Sequence, residues 1–254
     1  MTIALTELVR HLNESLEISK FQDYCPNGLQ VEGRAQVSRL VTGVTACQGL
    51  IDSAIEWGAD AVLVHHGYFW KGEAAEIVGM KRRRLAALLA NDVSLLAYHL
   101  PLDAHSQLGN NACFGRILGV ESAAPLEPGI ADSWACVGSL PKADSIDSIM
   151  RKLEAETGRA PLHIDAKTSG SVRRIAWCTG AAQGYIDAAA RAGADLYITG
   201  EISEQTVHSA REQGIHFIAA GHHATERYGV QALGAHLAKQ FSIEHRFIDI
   251  DNPV

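Results

Sequence analysis

Gln48-Gly-Leu-Ile-Asp52 followed by Gly58-Ala-Asp60 returns as Gln183-Gly-Tyr-Ile-Asp187 followed by Gly193-Ala-Asp195, every position shifted by 135 residues. An apolar run comes next in each copy, Ala61–Val64 and Leu196–Thr199. Short runs rich in valine, leucine and isoleucine after such turn signals read as strands buried on both faces. A strand–helix–strand unit used twice restricts the chain to an α/β architecture. Later in each copy an apolar strand leads to a histidine with a carboxylate four residues on, His99 and Asp103, then His222 and Glu226. The chain thus reads as two diverged copies of one unit, and 254 residues can hold two lobes. Proline and glycine interrupt the pattern at Leu126-Glu-Pro-Gly129. The expected division is residues 1–128 with 216–254 as a discontinuous metal-binding lobe, and 129–215 as the second.

In the first lobe Thr6 is expected to cap a helix that turns Leu8, Leu12 and Leu16 inward. Leu40–Val44 and Val93–Ala97 read as strands and Gly49–Trp57 as a helix. Gly79–Ala90 is expected to be a helix with Met80, Leu85, Leu88 and Leu89 inward. Pro101 argues against a regular helix, leaving His99 and Asp103 on a loop. The later strands are Trp134–Val137, Leu162–Ile164, Arg174–Cys178, Leu196–Thr199, Ile215–Ala220 and Arg246–Ile250. Between them lie helices at Ser145–Glu156, Tyr185–Arg191 and Glu204–Gln213, and one from the second His-His pair to about Gln240.

The strand Ala61–Val64 runs into His65-His66-Gly67. In open α/β sheets, ligands bind at the carboxyl ends of strands, where this pair falls. Neighbouring strand residues point to opposite faces, so the two imidazoles suit two neighbouring ions, provided the strand stops there and Gly67 turns the backbone. His222 and Glu226 are four apart and share a helix face. The candidate ligands are therefore His65, His66, Asp103, His222 and Glu226. Three imidazoles and two carboxylates suit two divalent ions such as zinc, iron, manganese or nickel. A pair of ions about 3.5–4 Å apart needs a shared carboxylate, and Glu226 is the natural one. The repeat sets Gly200-Glu201 against His65-His66, which makes Glu201 a candidate base or substrate contact. His99 is the second candidate for proton transfer. Tyr68, Phe69 and Trp70 offer stacking surface for a planar base.

A formal net charge of −7 argues against general affinity for nucleic acid, leaving Lys81-Arg82-Arg83-Arg84 as the local basic run for a DNA contact. Five scattered cysteines form no paired motif, which fits a reducing compartment. With no apolar leader segment and no run of 18 apolar residues, the expectation is a cytoplasmic protein outside the membrane.

Several motifs together resemble one family. They are Asp23-Tyr-Cys-Pro-Asn-Gly-Leu-Gln-Val-Glu-Gly33, Val64-His-His-Gly-Tyr-Phe-Trp-Lys-Gly72, His99-Leu-Pro-Leu-Asp-Ala-His105 with Gly109-Asn-Asn111, Thr199-Gly-Glu-Ile-Ser-Glu-Gln205 and Gly221-His-His-Ala-Thr-Glu-Arg227. The chain resembles the NIF-three-like proteins, also labelled GTP cyclohydrolase 1 type 2 homologues, and in particular their bacterial YbgI-type short forms. The resemblance implies a two-lobed α/β protomer with mixed sheets, a ring-shaped homohexamer and two divalent ions per subunit. By the family pattern His66 and Asp103 hold one ion, His65 and His222 the other, and Glu226 bridges. It also implies a metal-dependent hydrolase that opens the imidazole ring of GTP by metal-bound hydroxide. The same pair of ions equally suits other cyclic amidine or phosphoester substrates. The alternative function is a non-catalytic metal-binding scaffold or regulator that contacts DNA or a protein partner.

Overall fold

The computed structural model describes residues 1–129, 133–168 and 170–254. Contacts divide the chain into two compact units, Met1–Gly109 with Arg227–Asp251, and Asn110–Glu226 with Asn252–Val254.

The first unit is built on a five-stranded sheet ordered Glu244–Phe247, Arg39–Thr45, Ala61–His66, Ser94–Ala97, Gly28–Val31. The first four strands run parallel and the last is antiparallel. Alternate residues of the central strands feed two apolar layers. Leu40, Leu63 and Leu96 meet Leu8, Leu12, Leu233 and Leu237 from helices Leu5–Ser15 and Arg227–Phe241. Val41, Val62, Val64 and Leu95 meet Leu50, Ile51, Leu85 and Leu88 from helices Gln48–Trp57 and Gly79–Ala90. Helices on both faces explain why the central strands are buried at nearly every position rather than alternating.

The second unit holds a mixed six-stranded sheet ordered Glu121–Pro125, Cys136–Ser145, Ser171–Trp177, Leu196–Thr199, His216–Ala219, Leu162–Ile164. Ser171–Trp177, Leu196–Thr199 and His216–Ala219 pair parallel, and the other three pairings are antiparallel. This differs from the division expected at 128 and 216. Glu121–Pro125 pairs with Cys136–Ser145, and His216–Ala219 lies beside Leu196–Thr199, so backbone pairing draws both into the second unit. The unbroken helix Asn110–Leu118, which the sequence pattern did not suggest, belongs there too.

The repeat has a structural basis. Asp60 accepts hydrogen bonds from the backbone N–H groups of Ser38 and Arg39 at 2.7 and 2.9 Å. Asp195 does the same for Arg173 and Arg174 at 2.9 and 2.8 Å. Each aspartate, at the start of the second strand, thus clamps the backbone leading into the first. Arg39 reaches the Trp57 carbonyl and Arg174 the Ala192 carbonyl, again 135 positions apart. The register agrees as well, Leu40 facing Ala61 and Ile175 facing Leu196.

Three local expectations are corrected. Thr6 does not cap its helix, whose N-cap is Ala4. The chain enters that helix directly from the pairing of Ile3–Ala4 with Gln36–Val37. In Gly79–Ala90 only Leu85 and Leu88 turn inward, while Met80 and Leu89 are more than half exposed. Pro101 does not keep helix out, because Leu100–Ala104 is a short helix with the proline in its first turn, where no backbone donor is needed.

Burial lowers the pKa of His11, His105 and His245 in the first unit, with the neighbouring His236 adding to the effect on His11 and His105. Unfolded imidazoles bind protons more readily than these, so the stability they contribute is complete above pH about 6.5 and is lost as pH falls through their folded values. Ion-free protein is expected to lose the contribution of these three histidines between pH 7 and pH 5. The His11→Gln variant is expected to lose less over that interval. Thermal unfolding at the two pH values measures both, and equal losses in parent and variant would contradict the assignment.

Candidate metal centre

In the first unit the strand Ala61–His66 continues through both histidines, two residues further than expected. Pairing with the strand Ser94–Ala97 ends at Val64–Ala97, while pairing with Arg39–Thr45 runs on to His66, so the histidines stand at the carboxyl end with one edge open. Their rings nonetheless approach to 4.5 Å between centroids. Gly67 follows, in a place where a Cβ would strike the Ala97 side chain and the Gln30 amide, so only glycine lets the chain turn there. Gln30 ties the turn down by accepting from the Tyr68 backbone N–H at 2.7 Å.

The orientation of each ring is fixed through Nδ1. His65, fully buried, donates Nδ1–H to the Tyr98 carbonyl at 3.0 Å. His66 Nδ1 lies 3.2 Å from the Thr45 hydroxyl. His99 donates Nδ1–H to Asp23 at 2.7 Å. Asp103, in the helix after His99, places a carboxylate oxygen 3.5 Å from His65 Nε2. One nitrogen each from His65, His66 and His99 lies within 4.8 Å of the others. Trp70 stands beside them, 6.0 Å from His66 and 5.1 Å from His99 between ring centroids. Of the expected stacking group, Tyr68 instead hydrogen-bonds the Ala46 carbonyl and Phe69 lies under Lys81.

The sequence reading missed Asp23, Asn27 and Thr45. Burial raises the Asp23 pKa, but hydrogen bonds from His99 and Asn27 outweigh it and bring the value to about 2. Asn27 also accepts from the His99 backbone N–H at 2.7 Å. The turn Pro26-Asn27-Gly28 therefore does more than reverse the chain, and the Asp-x-x-x-Asn spacing ahead of it was the available signal.

In the second unit, strands Leu196–Thr199 and His216–Ala219 deliver Glu201 and His222. Glu201 lies 2.6 Å from His222 Nδ1, and His222 Nε2 lies 3.1 Å from Glu226. Glu226 is the C-cap of the short helix His222–Thr225 rather than a first-turn residue. Burial alone would lower the His222 pKa, but hydrogen bonds and charge from Glu226 and Glu201 raise it to about 9. Glu226 itself is 3% exposed. Gly180, with φ of +72°, passes so close that any Cβ there would overlap the Glu226 carboxylate.

The donor set of the first unit suits a divalent ion. Three imidazoles with Nδ1 engaged on oxygen atoms and nearby carboxylates make the borderline nitrogen–oxygen set that zinc, iron or manganese favours. A sequence profile of the Duf34/NIF3 (NGG1p interacting factor 3) family matches residues 3–253. The chain belongs to the DUF34/NIF3 family. Within that family it is similar to a Pseudomonas aeruginosa protein named GTP cyclohydrolase 1 type 2 homolog, at 61% identity over 100% of both chains. An Escherichia coli K12 protein of the same name is 53% identical, with 98% of each chain covered. Among solved structures, protein ybgI superposes with a TM-score of 0.95 at 52% identity, covering 99% of this chain and 100% of that one. TTHA1606 from Thermus thermophilus follows with a TM-score of 0.91 at 34% identity, covering 99% and 100%. The mixed α/β fold of this DUF34/NIF3 chain is thus shared across the full length of both.

Two cations of the 81–84 run are committed locally. Lys81 pairs with Glu73 at 3.2 Å, and the Arg84 guanidinium lies over the Tyr68 ring at 6.0 Å. All five cysteines are free thiols. No helix among the described residues is long and apolar enough to cross a membrane.

Proposed function

We propose that this DUF34/NIF3 chain is a metal-dependent hydrolase that holds two divalent ions, zinc, iron, manganese or nickel, and acts on a nucleotide-like substrate. The residues that would hold them are His65, His66 and Asp103 in the first unit and His222 and Glu226 in the second. One observation carries the reading. Each of His65, His66 and His222 has its Nδ1 engaged by an oxygen atom, which directs Nε2 outward as the ligating nitrogen. Bound ions would supply Lewis acidity and an activated water.

The chain's own residues do the remaining work. Glu201 is a positioning residue: its bond to His222 Nδ1 fixes that ring and strengthens Nε2 as a donor. Burial keeps water from Glu226, so its charge acts at close to full strength. The Trp70 indole, held by its N–H on the Gly67 carbonyl at 3.1 Å, gives a flat face for a planar heterocycle. The name carried by the relatives makes GTP the first substrate to test, with formate as the product of ring opening. The proposal extends to a cytoplasmic homohexamer. Ile77, Val78 and Met80, each more than half exposed, support an assembly that covers them.

Elemental mass spectrometry tests the metal reading on protein purified without chelators. About two ions per chain are expected, falling in the His66→Ala variant with the fold intact. Well under one ion after reconstitution with several divalent metals would overturn it. The Glu226→Gln variant is expected to keep its fold and lose turnover; full activity in that variant would leave the scaffold or regulator reading in its place.

A further inference from the structure

We propose that His99 is a metal ligand, a third imidazole beside His65 and His66, and that Asp23 and Asn27 are the residues that position it. The inference rests on the reading that this chain binds divalent ions at those histidines. It changes the role of His99 from proton transfer to coordination.

The first support is distance. Donors bound to one ion at about 2.0–2.2 Å stand roughly 3–4.3 Å from each other. One nitrogen each from His65, His66 and His99 lies within 4.8 Å of the other two, so shifts of a few tenths of an ångström put His99 on the same ion as one of its neighbours. Ring centroids 5.0 Å from His65 to His99 and 5.8 Å from His66 to His99 place the third imidazole directly beside both.

The second support is the tautomer. With Nδ1–H donated to Asp23 at 2.7 Å, neutral His99 carries its lone pair on Nε2. A carboxylate behind a histidine is the arrangement that orients metal-bound imidazoles and raises their basicity. His65 and His66 are held through Nδ1 in the same way, by a carbonyl and a hydroxyl.

The third support is the care with which the ring is fixed. Asp23 accepts from the Tyr24 and Leu100 backbone N–H groups and from the Asn27 amide as well as from His99. Asn27 in turn accepts from the His99 backbone N–H. Residues 23–27 therefore grip both the ring and the main chain of one histidine. The neighbouring combination of Asp23, Cys25 and His99 also brings three ligand atoms together. It is the poorer ion site, because four donors already fill the two oxygens of Asp23.

Cobalt(II) titration of ion-free protein, followed by visible absorption and calorimetry, tests the assignment. The His99→Ala variant, folded by circular dichroism, is expected to bind cobalt at least about tenfold more weakly than the parent and to show displaced d–d bands. Free imidazole is expected to restore the parent spectrum. Asp23→Asn is expected to weaken binding by a smaller factor with the bands largely retained. If His99→Ala does not fold, His99→Gln carries the same comparison. A folded His99 variant with the parent's affinity and spectrum would overturn the ligand assignment and leave the metal reading intact. A parent protein that binds no cobalt would overturn both, and the His66→Ala control separates the two failures.

Discussion

The Gly180→Ala variant is expected to lose about 2–5 kcal/mol of folding stability and to bind divalent ions at least tenfold more weakly. The left-handed backbone at this position costs a non-glycine residue about 1–2 kcal/mol. Crowding adds about 1–3 kcal/mol, since the new methyl overlaps the Glu226 carboxylate and sits 3.3 Å from His222 Nε2. The carboxylate cannot simply step aside, because Glu226 is almost wholly buried. The repeat sharpens the point: the residue 135 positions earlier is Thr45, whose hydroxyl supports His66. At position 180 the corresponding space belongs to Glu226, and the side chain has been given up. Thermal unfolding with and without a saturating divalent ion reads both effects. The parent's melting temperature rises with the ion and that of Gly180→Ala rises by less. A variant that gained as much from the ion as the parent would show that the seat of Glu226 is not set by this glycine.

Asp60→Ala is the second large effect, expected to cost about 3–5 kcal/mol, against about 1–2 kcal/mol for Asp195→Ala. Asp60 is buried and accepts from two backbone N–H groups, the Ser38 hydroxyl and the Arg34 guanidinium. Removing it strands the two backbone donors and the Ser38 hydroxyl at the entrance to the strand Arg39–Thr45, while Arg34 keeps the Asp92 and Asn91 carbonyls. Burial alone would raise the Asp60 pKa, but the Ser38 and Arg39 donors outweigh it and lower the value. Asp195 clamps the equivalent backbone with two such bonds and is less enclosed. Urea unfolding of the two variants beside the parent decides the matter, and equal losses would mean that the two clamps are energetically alike.

Most of the sheet could be read from residues because the signal was local. Ala61–Val64, Leu196–Thr199 and the helix Glu204–Gln213 follow from apolar runs and turn residues alone. Interior positions of Gly79–Ala90 were harder, since periodicity cannot tell which of Met80, Leu85, Leu88 and Leu89 the sheet will cover. The unit boundary depended on long-range pairing of Glu121–Pro125 and His216–Ala219, which no window of sequence contains. At the candidate site, residue types and spacing named the histidines and carboxylates. They could not name Asp23, Thr45 or Gly180, whose roles exist only once distant segments meet. Glu201 is an intermediate case: the repeat put it at the right strand end, and only the fold showed that it holds His222.

The first unit is written in two pieces, and that sets the order in which it can be completed. Residues 110–226 are translated between them, and at about 5–20 residues per second this leaves an interval on the order of ten seconds. During that time the strand Arg39–Thr45 has no neighbour on its outer edge, because Glu244–Phe247 does not yet exist. The apolar face of Leu40, Leu63 and Leu96 likewise waits for the helix Arg227–Phe241. The second unit is almost contiguous and can close its own sheet as soon as its strand His216–Ala219 emerges. The nascent chain thus carries an open sheet edge through much of its synthesis, and its last few dozen residues act as the clasp that ends this exposure.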